Sequence, residues 1–182
     1  YMADIGFDRK DPVVPDLAHS TAHVDELRQN TGSPDRFVVG ISPMAYAAPG
    51  LWYMQHNVTY EAYLGKLAEF VRWLKDNGMD TVFFPSAVPS DTYVIKDLTE
   101  LLKKQYGITT EEAGHPVQTV TDLLTTIAGV DIVVSSRFHG VLLPFVLHKP
   151  VIALSYHPKD ESLMRDMGQA EYCLDIEKFD VH

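Results

Sequence analysis

Cationic side chains occur at two points of this sequence where short apolar runs end. Arg137, Phe138 and His139 follow Ser135-Ser136 directly, and Tyr156-His157-Pro158-Lys159 follows the run Val151 to Ser155. A guanidinium stays charged at any working pH and can fork onto an oxyanion in two-point fashion, an ammonium adds a point charge, and an imidazole titrates near neutrality. Together they suit binding of an anionic ligand and transfer of a proton. Gly140 would allow a ligand to approach closely, and a helix opening beside it would add free N–H groups and a positive dipole end. The competing role for Arg137 is a structural salt bridge, and for His139 a structural imidazole. A position at the carboxyl end of a strand, two residues after an arginine, favours chemistry for His139. Asp91 follows an earlier strand, where capping a helix and reaching the site are compatible roles.

Elements that would position these residues are legible around them. Val130 to Val134 and Val151 to Ser155 are short, β-branched runs of the kind buried on both faces of a sheet. Gly140 to His148, about two helical turns closed by Pro150, joins them. Pro144 fits that helix only in its first turn, with a start near Leu143, or at a kink. Strands joined by a crossover helix run parallel, so Arg137, His139, Tyr156 and Lys159 emerge on one sheet edge, where open α/β sheets bind ligands. Upstream, Phe37 to Ser42 and Thr81 to Pro85 read as buried strands. Thr59 caps the clearest helix, with Tyr60, Tyr63, Leu64, Leu67, Phe70, Val71 and Leu74 at helical spacing up to Gly78. A further helix runs from Asp91 to Gly107. Val117 to Thr119 reads as a brief strand, and Thr119 with Asp122 forms a loose capping box opening the next helix. Asp160 to Met167 reads as a short helix closed by Gly168, and Tyr172 to Ile176 as the last strand. The fold class expected is α/β, a doubly wound parallel sheet over residues 37–182, with residues 1–36 a linker or strap holding a short helix near Ala22 to Gln29. Within that strap His19 and His23 share a helical face, but no third ligand marks a metal site.

Composition narrows the function classes. The 182 residues suffice for one cored domain, and 46% hydrophobic with 22% charged residues argues against disorder. No apolar run approaches the roughly 18 residues of a transmembrane helix, and a basic-then-apolar leader is absent from the first residues. A single cysteine, Cys173, excludes an internal disulfide and points to a reducing cytoplasm. Net charge is −10 with no basic cluster beyond Lys103-Lys104, which argues against nucleic acid as a partner. Tyr46, Trp52 and Tyr53 follow the first strand, where their rings could face a sugar or pack on another domain.

Ser135-Ser136-Arg137-Phe138-His139-Gly140, followed by Lys149-Pro150-Val151-Ile152-Ala153-Leu154-Ser155-Tyr156-His157-Pro158-Lys159, resembles the signature of the polysaccharide pyruvyl transferase family. A weaker resemblance reaches back to about Phe37. It implies one Rossmann-like half of a glycosyltransferase-B-like fold, with phosphoenolpyruvate as the donor of a pyruvyl ketal to a sugar and no cofactor. It also implies donor binding and catalysis at Arg137 and His139, with Ser136, Phe138, Gly140, Tyr156, Lys159 and Asp91 lining the substrate site. The acceptor would be a saccharide, lipid-linked at the inner membrane face in some members. Family members are roughly twice as long, so a second wall of the cleft is expected from an amino-terminal domain or a second copy of the chain.

Two other readings compete. A nucleotide-sugar glycosyltransferase of the same architecture would carry an acidic residue for the donor ribose in the helix after the basic motif, and Val141 to Leu147 has none. A non-catalytic binding module differs in that phosphoenolpyruvate would not raise its heat stability. Asp-x-Asp, Gly-x-Gly-x-x-Gly and P-loop motifs are absent.

Overall fold

A computed structural model describes residues 16, 18, 24–28, 36–54, 56–109 and 117–181. Five strands, β1 (Val38–Ser42), β2 (Asp80–Phe83), β3 (Ile132–Ser135), β4 (Val151–Ser155) and β5 (Cys173–Asp175), form one sheet in the order β2-β1-β3-β4-β5. Every pairing is parallel. Chain order reverses between β1 and β3, so the crevice at their carboxyl ends is the switch point of a doubly wound sheet.

The helices are α1 (Val24–Arg28), α2 (Asn57–Asp76), α3 (Ser90–Tyr106), α4 (Val120–Ala128), α5 (Phe138–Val146) and α6 (Pro158–Asp166). Side chains alternate across a strand, and β3 and β4 show why their sequences are apolar throughout. Val134 and Leu154 enter the core under α2 and α3, whereas Val133 and Ala153 enter the core with α4, α5 and Met164 of α6. The expected α/β fold and the neighbouring placement of β3 and β4 both hold.

Several boundaries differ from expectation. Val117 to Thr119 is not a strand. The N–H groups of Gln118 and Thr119 both donate to the Asp122 carboxylate, which removes them from any ladder and completes the capping box. The first long helix begins at Asn57, capped by His56 rather than Thr59, because the His56 ring accepts from Thr59 N–H. Pro144 lies well inside α5, past its first turn. The lost hydrogen bond is outweighed by burial, since Val141, Leu142, Leu143 and Val146 of this short helix are all in the core. The final helix starts at Pro158, and Gly168 terminates it with φ of 70°.

Val24 of α1 is buried against α4, within the short helix expected near Ala22 to Gln29. His19 and His23 lie outside the described residues. Among the described residues no helix is long and apolar enough to cross a membrane.

Candidate functional site

Serine ends the strands that meet at the switch point, and those serines set the geometry. Ser42 and Ser135 are register partners at the ends of β1 and β3. Ser135 Oγ accepts from Arg137 N–H at 3.1 Å and donates to Arg137 O, so the chain turns sharply and makes Arg137 the N-cap of α5. Ser155 repeats the device on the next strand. It accepts from His157 N–H at 3.3 Å and makes His157 the N-cap of α6. Two identical turns on adjacent parallel strands thereby aim the starts of two helices at one crevice.

Arg137 is anchored from below. Its Nε donates to both Asp91 oxygens at 3.0 and 3.2 Å, and Nη2 donates to Asp91 Oδ1 at 2.6 Å and to Ser90 Oγ at 2.9 Å. Asp91 is fully buried and also accepts from the Ser86 and Ala87 amides at 3.2 and 2.8 Å. Arg137 therefore forms the structural ion pair that the sequence left as its competing role. Two-point binding of a ligand through Nε and Nη2 is ruled out while Asp91 holds that edge, and Nη1 is the nitrogen left over among the described residues. Asp91 does not cap α3. The N-cap is Pro89, and the Asp91 carboxylate turns instead to the loop amides and the guanidinium.

Phe138 supports Lys159, whose Nζ sits 3.8 Å from the Phe138 ring centroid in a cation–π contact. That contact parks the ammonium of α6 over the first residue of α5. His139, the second helical residue, is more than half exposed, and its Nε2 lies 3.9 Å from an Asp16 oxygen. This separation is too long for a hydrogen bond but close enough for Coulomb attraction to an imidazolium. Backbone N–H groups of Phe138, His139 and Gly140 open α5 without a side-chain cap.

Ser136 and Gly140 play other parts than expected. Ser136 is buried and bonded to the Tyr63 hydroxyl at 2.8 Å, so it forms floor rather than a free donor. Burial raises the Tyr63 phenol to about 12, against the hydrogen bond from Ser136. A Cβ on Gly140 would fall 2.2 Å from Ser135 Oγ and 2.8 Å from Ser86 Oγ. The protein's own serines leave no room for a side chain there. Ser86 in turn bonds Ser42 at 2.5 Å.

Tyr156 joins the cationic crevice to an aromatic cluster. Its ring lies 5.3 Å from Trp52 and 5.9 Å from Tyr46. Burial raises its phenol, with Asp160 adding and the nearby Arg137 charge opposing. Asp160 itself is buried beside Lys159, and that burial raises its carboxyl to about 6 against the pull of His157 and Lys159. Of the lesser histidines, His157 caps α6, while His148 follows the far end of α5, away from the crevice.

The structure thus brings Arg137, Phe138, His139, Lys159 and Asp91 together, with Tyr156 beside them. Sequence reasoning missed Ser42, Ser90, Asp16 and Asp160. A serine closing one strand after another was the available signal for Ser42, whereas nothing in the sequence marked Asp16. Among the described residues no group of three or more His, Cys, Asp or Glu could hold a metal ion.

Comparison with known proteins adds the following. A solved structure of the wall teichoic acid polymerase TagF is similar at 11% identity and a TM-score of 0.37, covering 81% of this chain and 31% of the polymerase. No curated protein matches. The sequence pattern of the polysaccharide pyruvyl transferase family matches residues 1–158, and on that match the chain belongs to the polysaccharide pyruvyl transferase family.

Proposed function

We propose that this chain binds phosphoenolpyruvate at the switch-point crevice and passes its pyruvyl group to two hydroxyls of a saccharide, forming a ketal. The supporting observation is the convergence of Lys159, Arg137 and the open amides of α5 beside His139. Phosphoenolpyruvate carries a phosphate and a carboxylate, so its site needs donors that are fixed before it arrives. Asp91 fixes Arg137, and Phe138 fixes Lys159. The helix start supplies N–H donors for an oxyanion.

His139 gives a proton to the methylene carbon of the enol, which becomes a methyl group and leaves a cationic centre at the carbon bearing the phosphate. One sugar hydroxyl adds there and returns its proton to the base. Departure of phosphate regenerates the cationic centre, and the second hydroxyl closes the ketal. Inorganic phosphate carries away the remaining proton.

Calorimetry with phosphoenolpyruvate, paired with phosphate release on a saccharide panel, tests the assignment. We expect Lys159→Met to weaken donor binding by about tenfold or more, the loss of one charge-assisted contact. His139→Gln should bind donor within about threefold of the parent and release no phosphate, since it removes only the proton work. Equal loss of donor affinity in both variants, or no donor binding by the parent, would refute the assignment.

A further inference from the structure

Beside the cationic crevice lies a cavity of about 360 Å³ walled by Tyr46, Trp52, Tyr53 and Tyr156, with His56 and Glu177 on its rim. We propose that it is the acceptor subsite and that it selects a neutral pyranose over an acidic one. The assignment of an acceptor rests on the pyruvyl-transfer reading above; the selectivity rests on the cavity itself.

The walls are rings set at angles, not one flat stack. Trp52 meets Tyr156 edge-on at 5.3 Å, Tyr46 at 5.7 Å, and Tyr53 at a 35° tilt and 5.4 Å. Tyr53 is 82% exposed, a large ring left in water beside the cavity. Rings pack well on the C–H faces of a pyranose, while hydroxyls around that pyranose need a mixed set of donors and acceptors. Both kinds are present. Glu177 spends Oε1 on the Tyr46 hydroxyl at 2.5 Å, and Oε2 has no partner among the described residues. The Glu177 backbone is itself held by Lys66, whose Nζ donates to its carbonyl at 2.6 Å. Across the cavity, His56 Nδ1 receives Thr59 N–H at 3.3 Å and Thr59 Oγ1 at 2.8 Å, which assigns the ring proton to Nε2 as a donor.

Volume and charge narrow the ligand. The cavity falls in the lower part of the roughly 300–1,000 Å³ that small-molecule sites span, so it suits a terminal sugar rather than a long chain segment. Among the described residues Glu177 is its one carboxylate and no lysine or arginine lines it, so a uronic acid would bring a second negative charge without a counter-charge. Tyr156 forms a wall of this cavity and also feels the Arg137 charge. A hydroxyl of a bound sugar can therefore reach toward the donor crevice.

Trp73→Phe leaves Trp52 as the sole tryptophan of the chain, and its emission can be followed during titration with methyl glucoside, methyl galactoside, N-acetylglucosamine and methyl glucuronide. We expect a saturable change with at least one neutral sugar and about tenfold weaker binding of the glucuronide, the screened end of carboxylate repulsion at contact distance. Glu177→Gln should bring the two classes within about threefold of each other as that repulsion is removed. Tyr53→Ala, at an exposed position, should weaken the neutral sugar. Absence of any saturable change, or equal binding of glucuronide by the parent, overturns the proposal. Phosphoenolpyruvate is titrated in parallel by calorimetry. Sugar binding without donor binding supports the saccharide pocket and counts against the donor assignment, while donor binding without sugar binding does the reverse.

Discussion

Asp91→Asn offers the sharpest test of how the crevice is held. In the folded chain Asp91 has no exposed surface, and its two oxygens divide their work. Oδ2 receives the Ser86 and Ala87 amides, Oδ1 receives Arg137 Nη2 and Ser90 Oγ, and Arg137 Nε is shared between the two. Asparagine is the same size but turns one acceptor into a donor. Whichever way its amide is turned, an NH2 group faces N–H donors and at least two contacts are lost. Removing one partner of a buried ion pair costs about 3–5 kcal/mol, but Arg137 is 24% exposed and can regain some hydration. We therefore expect a loss of about 3 kcal/mol, at the lower end of that range. Urea unfolding at neutral pH with linear extrapolation measures it. A cycle with Arg137→Met should return a coupling of about 2 kcal/mol, since the two side chains share one network. A loss below about 1 kcal/mol, the level of a surface pair, would show that the buried network does not carry the anchor. Phosphoenolpyruvate affinity should fall with the same variant, because an unanchored guanidinium must be ordered by the ligand.

Two further outcomes follow from single side chains. Gly140→Ala should destabilise the fold by about 1–3 kcal/mol, because its methyl would collide with Ser135 Oγ, which holds the turn at Arg137; unchanged urea stability would contradict this. Asp160 has a folded pKa of about 6 against an ordinary 3.8, so between those values the folded chain binds a proton that the unfolded chain does not. Its contribution to stability is therefore greatest at low pH and falls as pH rises through about 6. The full displacement from 3.8 to about 6 would correspond to about 3 kcal/mol, and partial hydration with a favourable helix start reduces this to about 1–2 kcal/mol. Asp160→Asn should be more stable than the parent at pH 7 and lose that advantage near pH 4, as read by melting at both; an advantage independent of pH would refute it.

The sequence by itself determined the sheet class and which strands end at the site. Ile132 to Val134 and Val151 to Leu154 are apolar at successive positions, as in a strand covered on both faces, and a helix of nine residues between them leaves a parallel crossover as the solution. Arg137, His139 and Lys159 were legible for the same reason: their place follows from where strands stop. What those side chains touch was decided by tertiary structure alone. Asp91 and Arg137 are 46 residues apart, and no local period or spacing encodes that a carboxylate in the first turn of α3 turns inward to meet a guanidinium just past the end of β3, two positions from β2 in the sheet. The same holds for Gly140, whose reason lies in Ser86 and Ser135, and for Glu177, brought to Tyr46 across 131 residues. Periodicity reports which face of an element is buried, because burial is a property of the element. Partner choice depends on the strand order β2-β1-β3-β4-β5, which sets the ends of β1, β2 and β3 side by side, and that order is fixed only when the whole sheet closes over its two cores.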